Sequence, residues 1–264
     1  MSVPVVASSQ NDAAPHRHVL PMSLPSRKMS IFDSFFRSKT AISSPDETVA
    51  ARRLKERQAI PKNTSPFLAA DFLPMLPPKE ARDKDRVSLA IDLDETLVYA
   101  QSLPRKGGVP AGMKYDVLVE DGDQLIVVRL RPYLREFLEF VSERFEAILF
   151  TAGLSSYADP LLARVDPEGR LLRRHLRLYR QHCADMSGKK VKDLGLLGRP
   201  LHRIALLDNT PTTYAFQPRN GIPIVSWYGE EKDTALLDMM PLLQKLSSAA
   251  EVYDVLDWYV ASCK

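Results

Sequence analysis

The chain has 264 residues, 45% of them apolar and 26% charged, with 36 basic and 33 acidic side chains and a net charge of +3. This is a globular balance that excludes a wholly disordered or collagen-like chain, and no apolar run approaches the roughly 18 residues of a membrane-spanning helix. At about 100–200 residues per domain the length allows one large or two small domains, and two cysteines, Cys183 and Cys263, are too few for a disulfide framework and point to a reducing compartment.

Residues 1–80 hold 10 of the 20 prolines and none of the 11 glycines. The spacing predicts an extended or disordered arm over 1–72 and a globular domain over 73–264. Within the arm, Ile31, Phe32, Phe35 and Phe36 fall on one helical face, which would suit docking on a partner or a membrane surface. The first 40 residues are poor in acids, like a weak transit peptide, but lack an Arg-rich amphipathic helix, and no secretory signal is visible. The expected compartment is the nucleus or cytoplasm.

From Leu73 the pattern changes. Val87-Ser88-Leu89-Ala90-Ile91 predicts a buried strand. Residues 115–120 and 125–130 alternate around Asp121-Gly122-Asp123 and predict a hairpin. Pro132 opens a helix with Leu134, Phe137, Leu138, Val141 and Phe145 at helical spacing. Strands follow at 147–150, 204–207 and 222–225, with helices at about 155–165, 233–246 and 250–259. Strands alternating with helices predict an α/β fold, a parallel sheet with helices on both faces, whose chemistry lies at the carboxyl ends of the strands.

Charge is unevenly placed along the chain. Residues 1–80 carry 11 basic and 7 acidic groups, residues 161–203 carry 11 and 4, and the remainder carries 14 and 22. A basic island in an acidic frame can focus a field on an anionic ligand, although an Arg-rich solvated face has the same composition.

The strand ends hold the polar residues. The first ends in Asp92-Leu93-Asp94-Glu95-Thr96-Leu97. In strand geometry two carboxylates two residues apart share one side, and they repel unless a cation lies between them or one takes a proton. Mg²⁺ suits such hard oxygen donors, and a carboxylate can itself attack phosphorus. Phe150-Thr151-Ala152-Gly153 offers a hydroxyl and free backbone N–H groups beside a helix start, a phosphate cradle. Leu207-Asp208-Asn209-Thr210-Pro211 adds a carboxylate and a neutral oxygen ligand, and one lysine among Lys189, Lys190 and Lys192 can neutralise phosphate. Taken singly, each has a plainer role: strand stops, helix caps or surface charge. No His or Cys spacing suggests zinc.

Asp-Leu-Asp-Glu-Thr-Leu-Val at 92–98 resembles the signature of haloacid-dehalogenase-type (HAD) phosphatases, and more narrowly that of the small C-terminal-domain phosphatases, the FCP/SCP and dullard-like family. The resemblance continues in order through Leu130-Arg131-Pro132, Phe150-Thr151-Ala152, Tyr157-Ala158-Asp159-Pro160, Lys192-Asp193-Leu194, Leu207 to Pro211 and Ser226-Trp227-Tyr228. It implies a HAD-like, Rossmann-like sheet with a small hairpin and a short basic insert but no large cap. It implies a Mg²⁺-dependent protein serine/threonine phosphatase working through an aspartyl-phosphate. Asp92 would be the nucleophile and Asp94 the general acid and base. Asp92, the Asp94 main chain and Asn209 would hold the metal, with Asp208 behind them. Thr151 and Lys192 would hold the phosphoryl oxygens, and Leu154, Tyr157 and Arg180 would border the substrate groove.

The same resemblance implies a phosphoprotein partner, with the RNA polymerase II tail as one such substrate, and no direct nucleic-acid binding. One departure concerns that substrate: an aromatic residue expected after the signature is replaced near Ser102, which reshapes the proline-accepting pocket. Two alternatives remain open at this point. One is a catalytically silent binding module like the mitochondrial import-receptor relatives, which lose the first aspartate. The other is a phosphatase of small metabolites or lipid head groups.

Overall fold

A computed structural model describes residues 73–262. The arm expected over 1–72, with its Phe-rich face, lies outside the described residues, as does Cys263. Ten strands and four α-helices follow in chain order. They are β1 (Ser88–Ile91), β2 (Val98–Pro104), β3 (Val117–Asp121), β4 (Gln124–Leu130), α1 (Leu134–Arg144), β5 (Glu146–Phe150), α2 (Ser155–Val165), β6 (Arg177–Leu178), β7 (Ala184–Met186), β8 (Lys189–Val191), β9 (Ile204–Asp208), β10 (Gly221–Pro223), α3 (Ala235–Ser247) and α4 (Val252–Ser262).

The central sheet has the order β10-β9-β1-β5-β6, and its pairings are parallel. Ser88 of β1 lies opposite Glu146 on one side and Ile204 on the other, which starts the three central strands level with one another. All of β1, β5 and β9 is buried, as strands covered on both faces must be, and this explains their unbroken apolar runs. From β1 the chain order runs outward in both directions, through β5 to β6 and through β9 to β10. The crevice at the carboxyl end of β1 is therefore the topological switch point where α/β sheets bind ligands.

One face of the sheet, through Ala90, Ile148, Phe150, Ile204 and Leu206, packs against Leu76, Leu176, Leu194, Leu197 and Tyr214. Most of these come from short 3-10 turns and the lead-in segment rather than from long helices. Helices α1 and α3 pack on each other, and α4 packs on α3. The close approach of β10 to the turn beneath it requires glycine: a Cβ on Gly221 would lie 2.3 Å from the Tyr214 ring.

The predicted strands and helices are present with ends shifted by a few residues, and the hairpin turns at Gly122, which has φ of +58°. Four strands exceed the sequence expectation. The segment after the signature, expected to be a loop, is strand β2, which pairs antiparallel with β4 to give a second sheet of order β2-β4-β3. It is a half-exposed edge strand ending on Pro104, so it lacks a continuous apolar face to announce it. Strand β6 is only two residues long. Strands β7 and β8 form a hairpin turning through Ser187 and Gly188, both at positive φ, as two-residue hairpin turns require. These inserts stay small, and no separate cap domain is present among the described residues.

Candidate active site

Asp92 follows the last residue of β1, and its N–H donates to the Leu207 carbonyl at 3.0 Å, which extends the β1–β9 ladder by one residue. The chain then leaves the sheet. Glu95 takes φ of +56°, its N–H donates to Val98 O, and Leu97 N–H donates to Leu93 O. Strand geometry does not continue through the signature, and Asp94 is brought beside Asp92 by a tight loop.

The two carboxylates have different partners. Asp92 Oδ1 receives Lys192 Nζ at 2.5 Å, and Oδ2 receives the Thr96 hydroxyl at 3.0 Å. Asp94 Oδ1 receives the Tyr157 hydroxyl at 2.7 Å, and Oδ2 receives the Thr151 hydroxyl at 3.3 Å. Asp208, at the end of β9, accepts Lys192 Nζ at 2.6 Å and the Thr210 N–H at 2.8 Å. Lys192 thus bridges Asp92 and Asp208. Lys192 is buried directly after β8, whereas Lys189 is exposed and Lys190 pairs with Asp185; the hairpin distinguishes the three lysines.

Asn209 is fixed at both ends of its carboxamide. Its nitrogen donates to Ser226 Oγ at 2.9 Å, and its oxygen accepts from Thr96 Oγ1 at 3.3 Å. The amide oxygen is thereby turned toward the side on which Thr96 meets Asp92.

Burial pushes the Asp92 carboxyl up to about 7; Lys192 pulls against it, and Asp208 and Asp94 add to it. Burial also raises Asp94, against the hydrogen bonds from Tyr157 and Thr151. Burial raises Glu95, and Asp94 and Asp208 push in the same direction. Burial alone would lower the Lys192 ammonium, but Asp92 and Asp208 outweigh it and hold it above its ordinary value, so it stays protonated. Asp92 and Asp208 share the one Lys192 ammonium, with Asp94 and Glu95 close by. Among the described residues no cluster of three or more His, Cys, Asp or Glu side chains has metal-holding geometry. The side-chain oxygens gathered here are of another kind: the Asp92 and Asp208 carboxylates and the Asn209 carboxamide. Hard oxygen donors of this sort can hold a divalent cation such as Mg²⁺.

Thr151 follows β5. Of the N–H groups expected to cradle a phosphate, Thr151 N–H donates to Leu178 O at 2.9 Å and Gly153 N–H donates to the Thr151 hydroxyl at 2.8 Å, so the pairing of β5 with β6 and a local turn use these two. The segment also offers space. A Cβ on Gly153 would lie 3.2 Å from Thr151 Oγ1 and 3.5 Å from Asp94 Oδ2. Leu154 and Arg180 lie at the rim and are exposed, and Arg180 N–H holds the Gly153 carbonyl at 2.9 Å. Tyr157, expected in an apolar groove, is buried with its hydroxyl on Asp94. Burial and Asp94 raise that phenol, so it remains a donor. Thr96, Ser226 and the Tyr157–Asp94 bond were not singled out in the sequence. Thr96 and Ser226 lie inside quoted motifs, but their role depends on Asn209, which is distant along the chain.

The family model described as NLI interacting factor-like phosphatase matches residues 87–255. The human carboxy-terminal domain RNA polymerase II polypeptide A small phosphatase 1 is 38% identical over 212 residues, 80% of this chain and 77% of the human protein. The Caenorhabditis elegans CTD small phosphatase-like protein 1 is 41% identical over 182 residues, 69% of this chain and 36% of the nematode protein. Among solved structures, the fission yeast RNA polymerase II CTD phosphatase Fcp1 aligns over 66% of this chain and 62% of its own, with 20% identity and a TM-score of 0.45. The match to the family model begins just before β1, takes in every strand described above and ends within α4, and on that extent the chain belongs to the NLI interacting factor-like phosphatases.

Proposed function

We propose that this chain hydrolyses phosphoserine and phosphothreonine monoesters of a protein, with Asp92 as nucleophile and Asp94 as general acid and base. The observation that carries this reading is the division between the two carboxylates. Burial raises both, but Asp92 is held against the Lys192 ammonium, which favours its charged form, while Asp94 is hydrogen-bonded by neutral hydroxyls, which suits it to carry a proton.

In the first step an Asp92 oxygen attacks phosphorus, the bond from phosphorus to the serine or threonine oxygen breaks, and Asp94 gives its proton to that oxygen. In the second, Asp94 takes a proton from a water whose oxygen attacks phosphorus. The Asp92–phosphorus bond breaks, phosphate leaves, and Asp94 is again protonated. Lys192 holds its charge between Asp92 and Asp208, beside the phosphoryl oxygens. Thr151 orients Asp94, and Gly153 leaves room for the phosphoryl group. Asp92, the Asp94 main-chain carbonyl and Asn209 would hold Mg²⁺, with Asp208 behind them. When bound, the ion supplies charge neutralisation for the phosphoryl oxygens.

The small inserts support a protein substrate laid across an open groove between Leu154 and Arg180, in a domain beginning near residue 73. The named human relative carries the RNA polymerase II carboxy-terminal domain in its name, and that tail is one substrate to test. At the place of the expected aromatic, Ser102 instead donates to Gln124 at 2.8 Å, so the pocket has another lining here. A nuclear or cytoplasmic site of action agrees with such substrates.

The test is Mg²⁺-dependent hydrolysis of an aryl phosphate, phosphopeptides, sugar phosphates and phosphatidic acid by the wild type and by Asp92→Asn. Phosphopeptide turnover that needs Mg²⁺ and vanishes in Asp92→Asn is expected. Undiminished turnover in Asp92→Asn overturns the nucleophile. A folded but inactive wild type indicates a binding module, and preference for a small phosphate overturns the protein substrate.

A further inference from the structure

The structure assigns to Arg131 a task that neither the family match nor the proposed chemistry gives it: we infer that its buried guanidinium is a clamp that positions the Asn209 carboxamide. The inference rests on the reading of Asn209 as a metal-holding oxygen.

The Arg131 side chain is fully buried. Nε and one terminal nitrogen grip the Asp233 carboxylate in a fork, at 2.8 and 3.0 Å. The other terminal nitrogen donates to the Thr96 carbonyl at 2.9 Å, and the fork's terminal nitrogen also donates to the Val225 carbonyl at 3.1 Å. Four of the five N–H groups of a guanidinium are thus spent on two backbone segments and one counter-charge. The two segments are the ones that hold Asn209. Thr96 supplies the hydroxyl on the carboxamide oxygen, and Ser226, next to Val225, supplies the oxygen on the carboxamide nitrogen. Thr96 shares that single hydroxyl proton with Asp92, the nearer of the two acceptors. Arg131 therefore sets the separation between both ends of the carboxamide and, through Thr96, its register with the nucleophile. A planar fork can meet two carbonyls and a carboxylate at once, whereas an ammonium cannot reproduce that geometry. Arg131 touches neither Asn209 nor the reacting atoms and is a positioning residue.

The experiment compares the wild type with Arg131→Lys and Ser226→Ala by two measurements. One is the Mg²⁺ concentration that half-activates hydrolysis of an aryl phosphate, with kcat and KM separated; the other is the rise in Tm produced by Mg²⁺ without substrate. Residues that orient a metal's ligands are typically worth about 10–100-fold in affinity or activity, so Arg131→Lys is expected to raise the half-activating Mg²⁺ about tenfold, to lower kcat rather than raise KM, and to lose most of the Mg²⁺-induced rise in Tm. Ser226→Ala, which loosens the other end of the carboxamide, is expected to move the same readouts in the same direction by about threefold. If Arg131→Lys is recovered unfolded, Asp233→Asn takes its place with the same expectation. A lower Tm with a wild-type Mg²⁺ response in the variants means a purely structural Arg131 and overturns the clamp while leaving the phosphatase reading intact. A wild type that neither hydrolyses nor responds to Mg²⁺ overturns the functional reading and the clamp with it.

Discussion

At the amino-terminal ends of β1 and β5, Ser88 and Arg199 converge on the Glu146 carboxylate. Ser88 donates at 2.5 Å, Arg199 grips both oxygens at 2.6 and 2.8 Å, and Lys79 stands 3.7 Å away. At the carboxyl ends of the same strands, Asp92 and Thr151 belong to a group in which Lys192 serves several carboxylates. Both ends are buried, and burial alone would raise a carboxyl at either. At Glu146 the arginine fork and the hydroxyl outweigh it, and the carboxyl is held below its ordinary value. At Asp92 burial wins over Lys192, and the carboxyl rises to about 7. One end is an ion pair closed on itself. The other leaves two carboxylates on one ammonium and a third, Asp94, on neutral hydroxyls, an arrangement that a divalent cation would complete.

The largest expected effect separates the two ends by activity. Asp94→Asn removes a positioned acid and base and is expected to lower kcat by about 10²–10⁴-fold, measured on an aryl phosphate in saturating Mg²⁺. Asp92→Asn is expected to abolish turnover and, with a chelator present, to raise Tm, because it removes a carboxylate that burial disfavours. An Asp92→Asn protein that melts well below the wild type would show that this carboxylate stabilises the fold and would break the contrast. The reverse holds at the opposite end. Glu146→Gln leaves Arg199 buried without its counter-charge, a loss of about 3–5 kcal/mol. For a domain of this size that is a fall in Tm of about 10 °C, with kcat of the folded enzyme unchanged at 25 °C.

The sequence reveals one end far better than the other. Asp92, Asp94, Thr151, Asp208 and Asn209 each close or follow an apolar run, so strand periodicity and the rule that chemistry lies at strand ends brought them to one edge. Glu146, Arg199 and Arg131 had no such signal. They are charged residues that sequence reading assigns to solvent, and only the tertiary fold shows that each is buried with a partner. Lys192 lay between these cases, because the choice among three lysines depended on the β7–β8 hairpin, whose polar strands of three residues carry no periodicity. Strand β2 was missed for a related reason: its pairing with β4 is long, but half of its residues face solvent.

A smaller effect sharpens the contrast at the phosphoryl side. Gly153→Ala places a methyl group 3.2 Å from Thr151 Oγ1, 3.3 Å from the Tyr157 ring and 3.5 Å from Asp94 Oδ2. These atoms orient Asp94, and a shift of a fraction of an ångström there is expected to cost about tenfold in kcat/KM. The methyl also meets the buried Tyr157 ring, so kcat/KM is to be read well below the variant's own Tm. Unchanged kcat/KM would show that the space beside Gly153 is not where the phosphoryl group sits.

The most gradual effect is the pH dependence of stability with a chelator present, where the two ends pull in opposite directions. Asp92 has a folded value of about 7 against an ordinary 3.8, so protonation favours the folded state. Its destabilising influence is complete above about pH 7 and is relieved as pH falls toward 3.8, by at most about 1.4 kcal/mol per pH unit. Glu146 has a folded value below its ordinary 4.5, so its stabilising influence is complete above that value and is lost as pH falls through the folded one. Tm should therefore rise as pH drops from 8 toward 5 and fall below 4.5. Asp92→Asn is expected to flatten the first limb and leave the second, and Glu146→Gln to do the converse. A single variant that flattened both limbs would mean that the two ends of the sheet titrate as one network, and the division between a closed ion pair and an open site would fail.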